Sequence, residues 1–466
     1  MFFLKKAVQR DLRAKKERLI IIEKKAVIMN RLNAAMKTFP GGKHLEGHKH
    51  LTRNEPVCAM PLPAKVIIPL SQHTGSICEP LVKPGDKVKA GTKIGQGNGV
   101  ISSTVHASIS GTVNSITDYN HPVLGSCPAV IIDSDGRDEI DAQVRERSGI
   151  DALSKDELLA IIKDAGIVGL GGAAFPAQVK LNPPRPVDAL IINGVECEPY
   201  LTCDFRLMLE RSNELLQGIQ LVRKIVNVQN VCIGIEEDKQ EAVLQLRNRI
   251  MEKKYPFNVI ALKAKYPQGA EKQLIKAVSG REVPPGKLPF DVGVVVVNVG
   301  TAVAVYEAVC LGKPLYERIV TVTGRIVKKP ANLKVRLGTR FSDIIAFCQG
   351  TKEPAGKIIM GGPMMGLAQF TDDVPLIKGT SGILVLGKDE IKDFTENPCI
   401  RCGRCVRVCP VRMLPYALSL CVESKSFEHA LQYNPRDCME CGACTYVCPA
   451  KRRIVESIRL IKTVVK

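Results

Sequence analysis

The stretches "NPCIRCGRCVRVCP" at 397–410 and "RDCMECGACTYVCP" at 436–449 each space four cysteines as C-x2-C-x2-C-x3-C and follow the last with proline. An iron–sulfur cluster needs four thiolates, and a tight C-x2-C-x2-C loop wraps three of them around one corner of a cubane. The x3 step and the proline carry the fourth away, into the other cluster of a two-cluster fold. The spacing therefore predicts one [4Fe–4S] cluster on Cys399, Cys402, Cys405 and Cys448, and a second on Cys438, Cys441, Cys444 and Cys409. Neither run is complete alone, which suits an internal repeat with pseudo-twofold symmetry. Two zinc sites would give no reason for the prolines or for the repeated C-x2 spacing.

Around this tail lies a chain of 466 residues, enough for two to four domains. Nine of its seventeen cysteines are scattered outside the two runs and read as small buried hydrophobes. Thiols that bind metal must stay reduced, which points to a reducing cytoplasm. No apolar stretch approaches the roughly 18–20 residues that cross a bilayer. Of the net charge of +19, residues 1–35, with ten Lys/Arg and three Asp/Glu, supply +7 and the rest of the chain about +12. With no Trp, 5% aromatic residues and no nucleic-acid motif, the basic balance fits an acidic redox partner or a membrane complex better than nucleic acid.

Five segments follow from the pattern. Residues 1–35 read as a basic, poorly capped helical extension ahead of a second plausible start at Met36. Residues 36–140 contain short apolar runs cut by turns such as Pro84-Gly85-Asp86, and resemble a lipoyl-like barrel-sandwich half-barrel. The hairpin "VHASISG" carries no lysine for a swinging arm, so a docking module is expected. Residues 141–315 alternate strand and helix signals, an α/β domain. Ser154 and Glu157 have capping-box spacing, and "CDFRLMLERSNELLQGIQLVRKIV" predicts one long amphipathic helix. Residues 316–388 read as a β-grasp (SLBB-like) module, and 389–466 as an α-helical double-cluster ferredoxin domain.

Two motifs in the α/β segment carry chemistry. In "GLGGAAFP" at 169–176, glycines permit close backbone approach, successive N–H groups can cradle a phosphate, and Lys180 follows within reach. The motif follows a helix, so it is not the dinucleotide fingerprint of a strand-turn-helix unit. In "INGVECEPYLTCDFR" at 192–206, Asn193, Glu196 and Glu198 cluster just after a strand, where α/β sheets place ligands.

With "YPQGAEKQL" at 266–274 and "NVGT" at 298–301, these motifs resemble the flavin-bearing part of respiratory complex I. The order of half-barrel, flavin domain and double-cluster tail resembles the RnfC family, the NADH-side component of the Rnf ion-pumping ferredoxin–NAD+ oxidoreductase. "MKTFPGGKH" at 36–44 resembles the usual start of that family, so residues 1–35 are expected to be an addition. The resemblance implies that Gly169, Gly171, Gly172 and Lys180 hold the phosphate of non-covalent FMN. It places Asn193, Glu196, Tyr266, Gly269, Asn298 and Thr301 around the rest of the flavin. Phe175 would stack on nicotinamide or flavin, and Glu198 and Glu271 would meet NAD(H). Leu170, Ala174, Val195 and Gly300 depart from the complex I pattern, which has arginine, glycine, an acid and an acid there.

The implied function is hydride exchange between NAD(H) and FMN, with single electrons passed through two [4Fe–4S] clusters to membrane-bound Rnf subunits. The chain would sit peripherally on the cytoplasmic face of the membrane and reach ferredoxin through a partner subunit. Rival readings are a cobalamin reductase of bacterial microcompartments, a non-enzymatic iron–sulfur adaptor and a soluble diaphorase. Neighbouring genes, flavin content and membrane recovery respectively discriminate them.

Overall fold

Four β-branched runs in the middle of the chain are too short and too apolar for anything but buried strands. In the computed structural model, which describes residues 36–391 and 395–465, they form a parallel sheet ordered Phe257–Leu262, Asn230–Glu236, Ala189–Asn193, Val294–Asn298. The expected basic extension at 1–35 lies outside the described residues. From Ala189–Asn193 the chain winds outward to one side through two strands, then returns to the other side for Val294–Asn298. The strand order thus reverses at Asn193, which pairs in register with Asn298 at the carboxyl edge. Such an edge is where doubly wound sheets bind ligands.

Helices cover both faces. Helix Lys155–Asp164 opens with the expected capping box: the Ser154 hydroxyl accepts from the Glu157 amide, and the Glu157 carboxylate accepts from the Ser154 amide. The long helix expected over 203–226 is two helices, Cys203–Glu210 and Ser212–Val226, broken at Arg211. Arg211 swings out to pair with Glu307 and Glu214, while the Gln245 amide donates to the Leu209 carbonyl at the break. Tertiary partners therefore outweigh the continuous amphipathic pattern. Gly218 lets helix Ser212–Val226 lie directly on helix Val299–Cys310; a Cβ there would fall 1.9 Å from the Ala302 carbonyl oxygen.

The half-barrel consists of a four-stranded sheet (Lys65–Pro69, Gly125–Ser134, Gly111–His121, Lys87–Val88) and a three-stranded one (Glu79–Pro80, Lys93–Gln96, Val105–His106). Its core is Val66, Ile68, Ile94, Val105, Ile109 and Val130. The hairpin tip in "VHASISG" is buried, and Ser108 donates to the Leu337 carbonyl while Arg336 donates to the Ser108 carbonyl. The position that would carry a swinging arm is therefore fastened to the β-grasp unit. Strand Val57–Ala59 is not part of the half-barrel: it pairs in parallel with Ala331–Arg336 at the edge of the six-stranded β-grasp sheet. Residues before it run along the α/β domain instead, with Lys37 bridging Leu262 and Lys43 bridging Tyr266.

In the β-grasp unit, the antiparallel pair Glu317–Thr323 with Ala331–Arg336 packs on helix Phe341–Phe347 through Phe341, Ile344, Val320 and Leu333. The tail is made of short helices, chiefly Pro415–Glu423 and Ile454–Val464, around a core that includes Cys405, Cys409 and Cys444 of the two runs.

Candidate functional site

The glycine-rich loop is tied down at nearly every residue. The Gly169 amide donates to the Phe175 carbonyl at 2.8 Å, and the Leu170 amide donates to the Thr301 hydroxyl at 2.8 Å. The buried Arg318 guanidinium donates to the Leu170 carbonyl, and Thr74 of the half-barrel donates through its hydroxyl to the Ala173 carbonyl and through its amide to the Ala174 carbonyl. Ala174 holds φ of 52°, a left-handed backbone that costs glycine less than alanine. Gly171 has no room for a side chain, since a Cβ would lie 2.8 Å from Asn298 Nδ2.

Asn298 caps helix Val299–Cys310, its Oδ1 accepting from the amides of Gly300 and Thr301, and its Nδ2 donates to Asp204 at 2.7 Å. Across the switch point, Asn193 Nδ2 donates to the Gly269 carbonyl at 2.9 Å. Lys180 pairs with Glu271 at 2.6 Å. The glycine loop, Asn298 and Thr301 are thus one hydrogen-bonded group. Asn193 with Gly269 and Lys180 with Glu271 are two more pairs, the first at the same sheet edge. Phe175 is half-buried in the loop.

The remaining expected residues are held elsewhere. Glu196, at φ 48°, accepts from the amides of Asp204 and Phe205 and so caps helix Cys203–Glu210. Glu198 accepts from the amides of Met364 and Met365 in the "GGPMMG" turn of the β-grasp unit. Burial pushes its carboxyl up to about 7 against the pull of those amides. Tyr266 is buried, and its hydroxyl donates to the Cys441 carbonyl at 2.7 Å. These three groups position loops in the present arrangement.

Several residues here had no sequence signal. Lys49 donates to the carbonyls of Glu196, Glu198 and Leu201, holding the loop after Asn193 from 147 or more positions away. Burial lowers its ammonium's affinity for the proton. Asp204 lies behind the glycine loop; burial, reinforced by Glu196, raises its carboxyl to about 7. Thr74 and Arg318 likewise reach the loop from other modules.

The donor sets fit the expected groups. Among the described residues the amides of Gly171, Gly172 and Ala173 meet no protein acceptor and are exposed, three successive N–H groups of the kind that cradle phosphate. In the tail, one pocket is walled by Cys399, Cys402, Cys405 and Cys448, bringing the fourth cysteine of the second run to the first. Cys409 bears electrostatically on Cys438, Cys441 and Cys444; burial, with Cys438 and Cys409 adding, pushes the Cys441 thiol up to about 11. The Arg401 amide donates to Cys399 Sγ and the Glu440 amide to Cys438 Sγ, at 3.4 and 3.3 Å. Such N–H···S bonds tune cluster potentials.

Comparison with known families defines the class of protein this fold represents. The family model described as the Nuo51 FMN-binding domain matches residues 162–307, and the RnfC barrel sandwich hybrid domain matches 37–137. The SLBB domain matches 319–368 and the 4Fe-4S dicluster domain 398–451. The chain is therefore a multidomain α/β electron-transport protein of flavin and iron–sulfur type. A component of the proton-translocating ferredoxin:NAD(+) oxidoreductase complex of Clostridium ljungdahlii is 48% identical over 92% of this chain and 94% of its own length. Its counterpart in the Na(+)-translocating complex of Acetobacterium woodii is 44% identical over 92% and 98%, and that in the ion-translocating oxidoreductase complex of Rhodobacter capsulatus 42% identical over 84% and 76%. The chain belongs to the RnfC family: it is one component of a multi-subunit, membrane-bound, ion-translocating ferredoxin:NAD+ oxidoreductase complex.

Proposed function

We propose that the chain exchanges hydride between NAD(H) and non-covalent FMN and sends single electrons through two [4Fe–4S] clusters to partner subunits on the cytoplasmic face of the membrane. The observation that carries this reading is the fastening of both cysteine runs, the second at Cys441 and the first at Val408, to the flavin half and the segment running along it. Tyr266 donates to the Cys441 carbonyl, the Gly42 amide donates to the Val408 carbonyl, and Tyr266, Leu45, Val408, Cys441 and Ala443 share one apolar cluster.

Bound FMN would supply the conversion between a two-electron hydride donor and one-electron acceptors. The chain's own residues do the rest. The amides of Gly171, Gly172 and Ala173, with Lys180 released from Glu271, would hold the phosphate; Asn193, Gly269, Asn298 and Thr301 shape the sheet edge and would line the rest of the flavin site. The cluster on Cys438, Cys441, Cys444 and Cys409 lies against the flavin half, whereas Cys402 on the other cluster is exposed. Electrons would therefore leave by the Cys399–Cys448 side. Ion translocation is assigned to partner subunits, since among the described residues no helix is long and apolar enough to cross a membrane. Ferredoxin would be reached through such a partner.

Anaerobic purification of the full-length chain, with iron reconstitution, tests the reading. Stoichiometric FMN, bleaching of flavin absorbance by NADH and appearance of reduced-cluster EPR signals are expected. Absence of FMN with no spectral response to NADH would overturn it.

A further inference from the structure

The two cysteine runs share a backbone but differ on one face. Arg401 and Glu440 occupy equivalent left-handed positions at φ 54° and 57°, and Gly403 and Gly442 both sit at 71°. The side chains then diverge: Arg401, Arg404 and Arg407 in the first run stand where the second has Glu440, Ala443 and Tyr446. Holding a cluster does not require the arginines, because the second loop has the same shape without them. Glu440 is neutralised by Arg459 and Lys462, and Ala443 is fully buried. Arg401, Arg404 and Arg407 are exposed, and among the described residues no carboxylate pairs with any of them. Arg401 and Arg404 line the same pocket as the exposed Cys402 and Ile400, which is 68% exposed, Arg407 donates to the Cys402 carbonyl at 3.4 Å, and that pocket, walled by four cysteines, has no acidic residue in its lining.

Three neighbouring guanidinium groups with no counter-charge repel one another, a cost that an acidic partner would offset. Guanidinium groups also grip carboxylates in bidentate fashion, which fixes orientation as well as proximity. We propose that Arg401, Arg404 and Arg407 form a docking collar for an acidic one-electron carrier protein. The carrier sets carboxylates on the arginines and an apolar contact on Ile400, and brings its own redox centre to the Cys402 edge. The cluster that Cys399, Cys402, Cys405 and Cys448 would hold would supply one electron, reducing the carrier's centre by one, with no bond made or broken. An anionic lipid surface would satisfy the same charges, but the thiolate edge inside the collar favours a redox protein. The inference rests on the proposed reading that Cys399, Cys402, Cys405 and Cys448 hold a cluster.

The test uses the full-length, cluster-loaded chain, the Arg404→Gln/Arg407→Gln double variant and, as a probe standing in for the acidic carrier, a small acidic ferredoxin. EPR should show both clusters intact in the variant. Its binding to the probe, measured by surface plasmon resonance, should weaken about tenfold, chiefly through slower association, with a flatter salt dependence. Lysine at both positions should restore part of the loss. Equal affinity and equal salt dependence in variant and parent would overturn the collar, as would arginine-dependent binding to phosphatidylglycerol vesicles without binding to the probe. If the parent chain shows no EPR signal lost on Cys402→Ser, the cluster reading itself falls; if that signal is present and the arginines are silent, the collar alone falls.

Discussion

Gly171 and Gly172 are adjacent, yet the space beside them is unequal. A Cβ on Gly171 would strike Asn298, which cannot retreat because it caps a helix and binds Asp204, while nothing lies within 4 Å of the position on Gly172. Gly171→Ala is expected to weaken FMN binding about tenfold, equivalent to ~1.4 kcal/mol, in a flavin fluorescence titration. Glu198 offers a pH test. Its folded carboxyl titrates near 7 because it is buried, above its value in the unfolded chain. The folded chain thus holds the extra proton between the ordinary carboxyl range and about 7, and this contribution to stability is lost as pH rises through that window. Glu198→Gln should flatten the dependence of melting temperature on pH there, leaving a share from Asp204, which is raised in the same way; an unchanged slope would count against a buried Glu198. That this loop and sheet edge would be candidate ligand positions was legible, because glycines with free amides and polar side chains just after a strand are local sequence features. Which carboxylate caps a helix and which holds a neighbouring turn was not, since the partners Asp204, Met364 and Met365 come from other parts of the chain.

Among the elements, the cysteine runs were the most legible, because their ligand spacing is local and each x2 step is dictated by loop geometry. Their connection to the flavin half was not. It depends on Tyr266 reaching Cys441, across 175 positions, and on Gly41 lying where a Cβ would meet the Cys409 carbonyl oxygen at 2.7 Å. Cys409→Ser should damage the cluster held by Cys438, Cys441 and Cys444 and spare the other; EPR showing the reverse would refute the crossed ligation. Tyr266→Phe should shift the midpoint potential of that same cluster in a redox titration while leaving its neighbour unmoved. The break at Arg211 shows the opposite limit: a periodic pattern continuous over 203–226 predicts one helix, and only the pairing of Arg211 with Glu307 on another helix divides it.

At the scale of the whole molecule, the half-barrel, the α/β domain and the β-grasp unit meet at Lys378. This buried ammonium, which burial lowers to about 7, donates to the carbonyls of Thr104 in the first and Gly166 in the second at 2.6 and 2.7 Å. Replacing it with methionine would leave both carbonyls buried and unpaired, costing about 2–3 kcal/mol. Denaturant unfolding should show that loss, and limited proteolysis should cut sooner between the half-barrel and the α/β domain. By itself the sequence determined the modules, the cluster ligands to expect and the glycine loop, because periodicity, thiol spacing and backbone freedom act over a few residues. Only the tertiary structure decided that Val57–Ala59 joins the β-grasp sheet, that the hairpin tip is a fastening point, and that Cys441 and Val408 pack inward with Tyr266 while Cys402 stays exposed. Those outcomes hang on hydrogen bonds and contacts between residues a hundred or more positions apart, whose pairing no local pattern encodes.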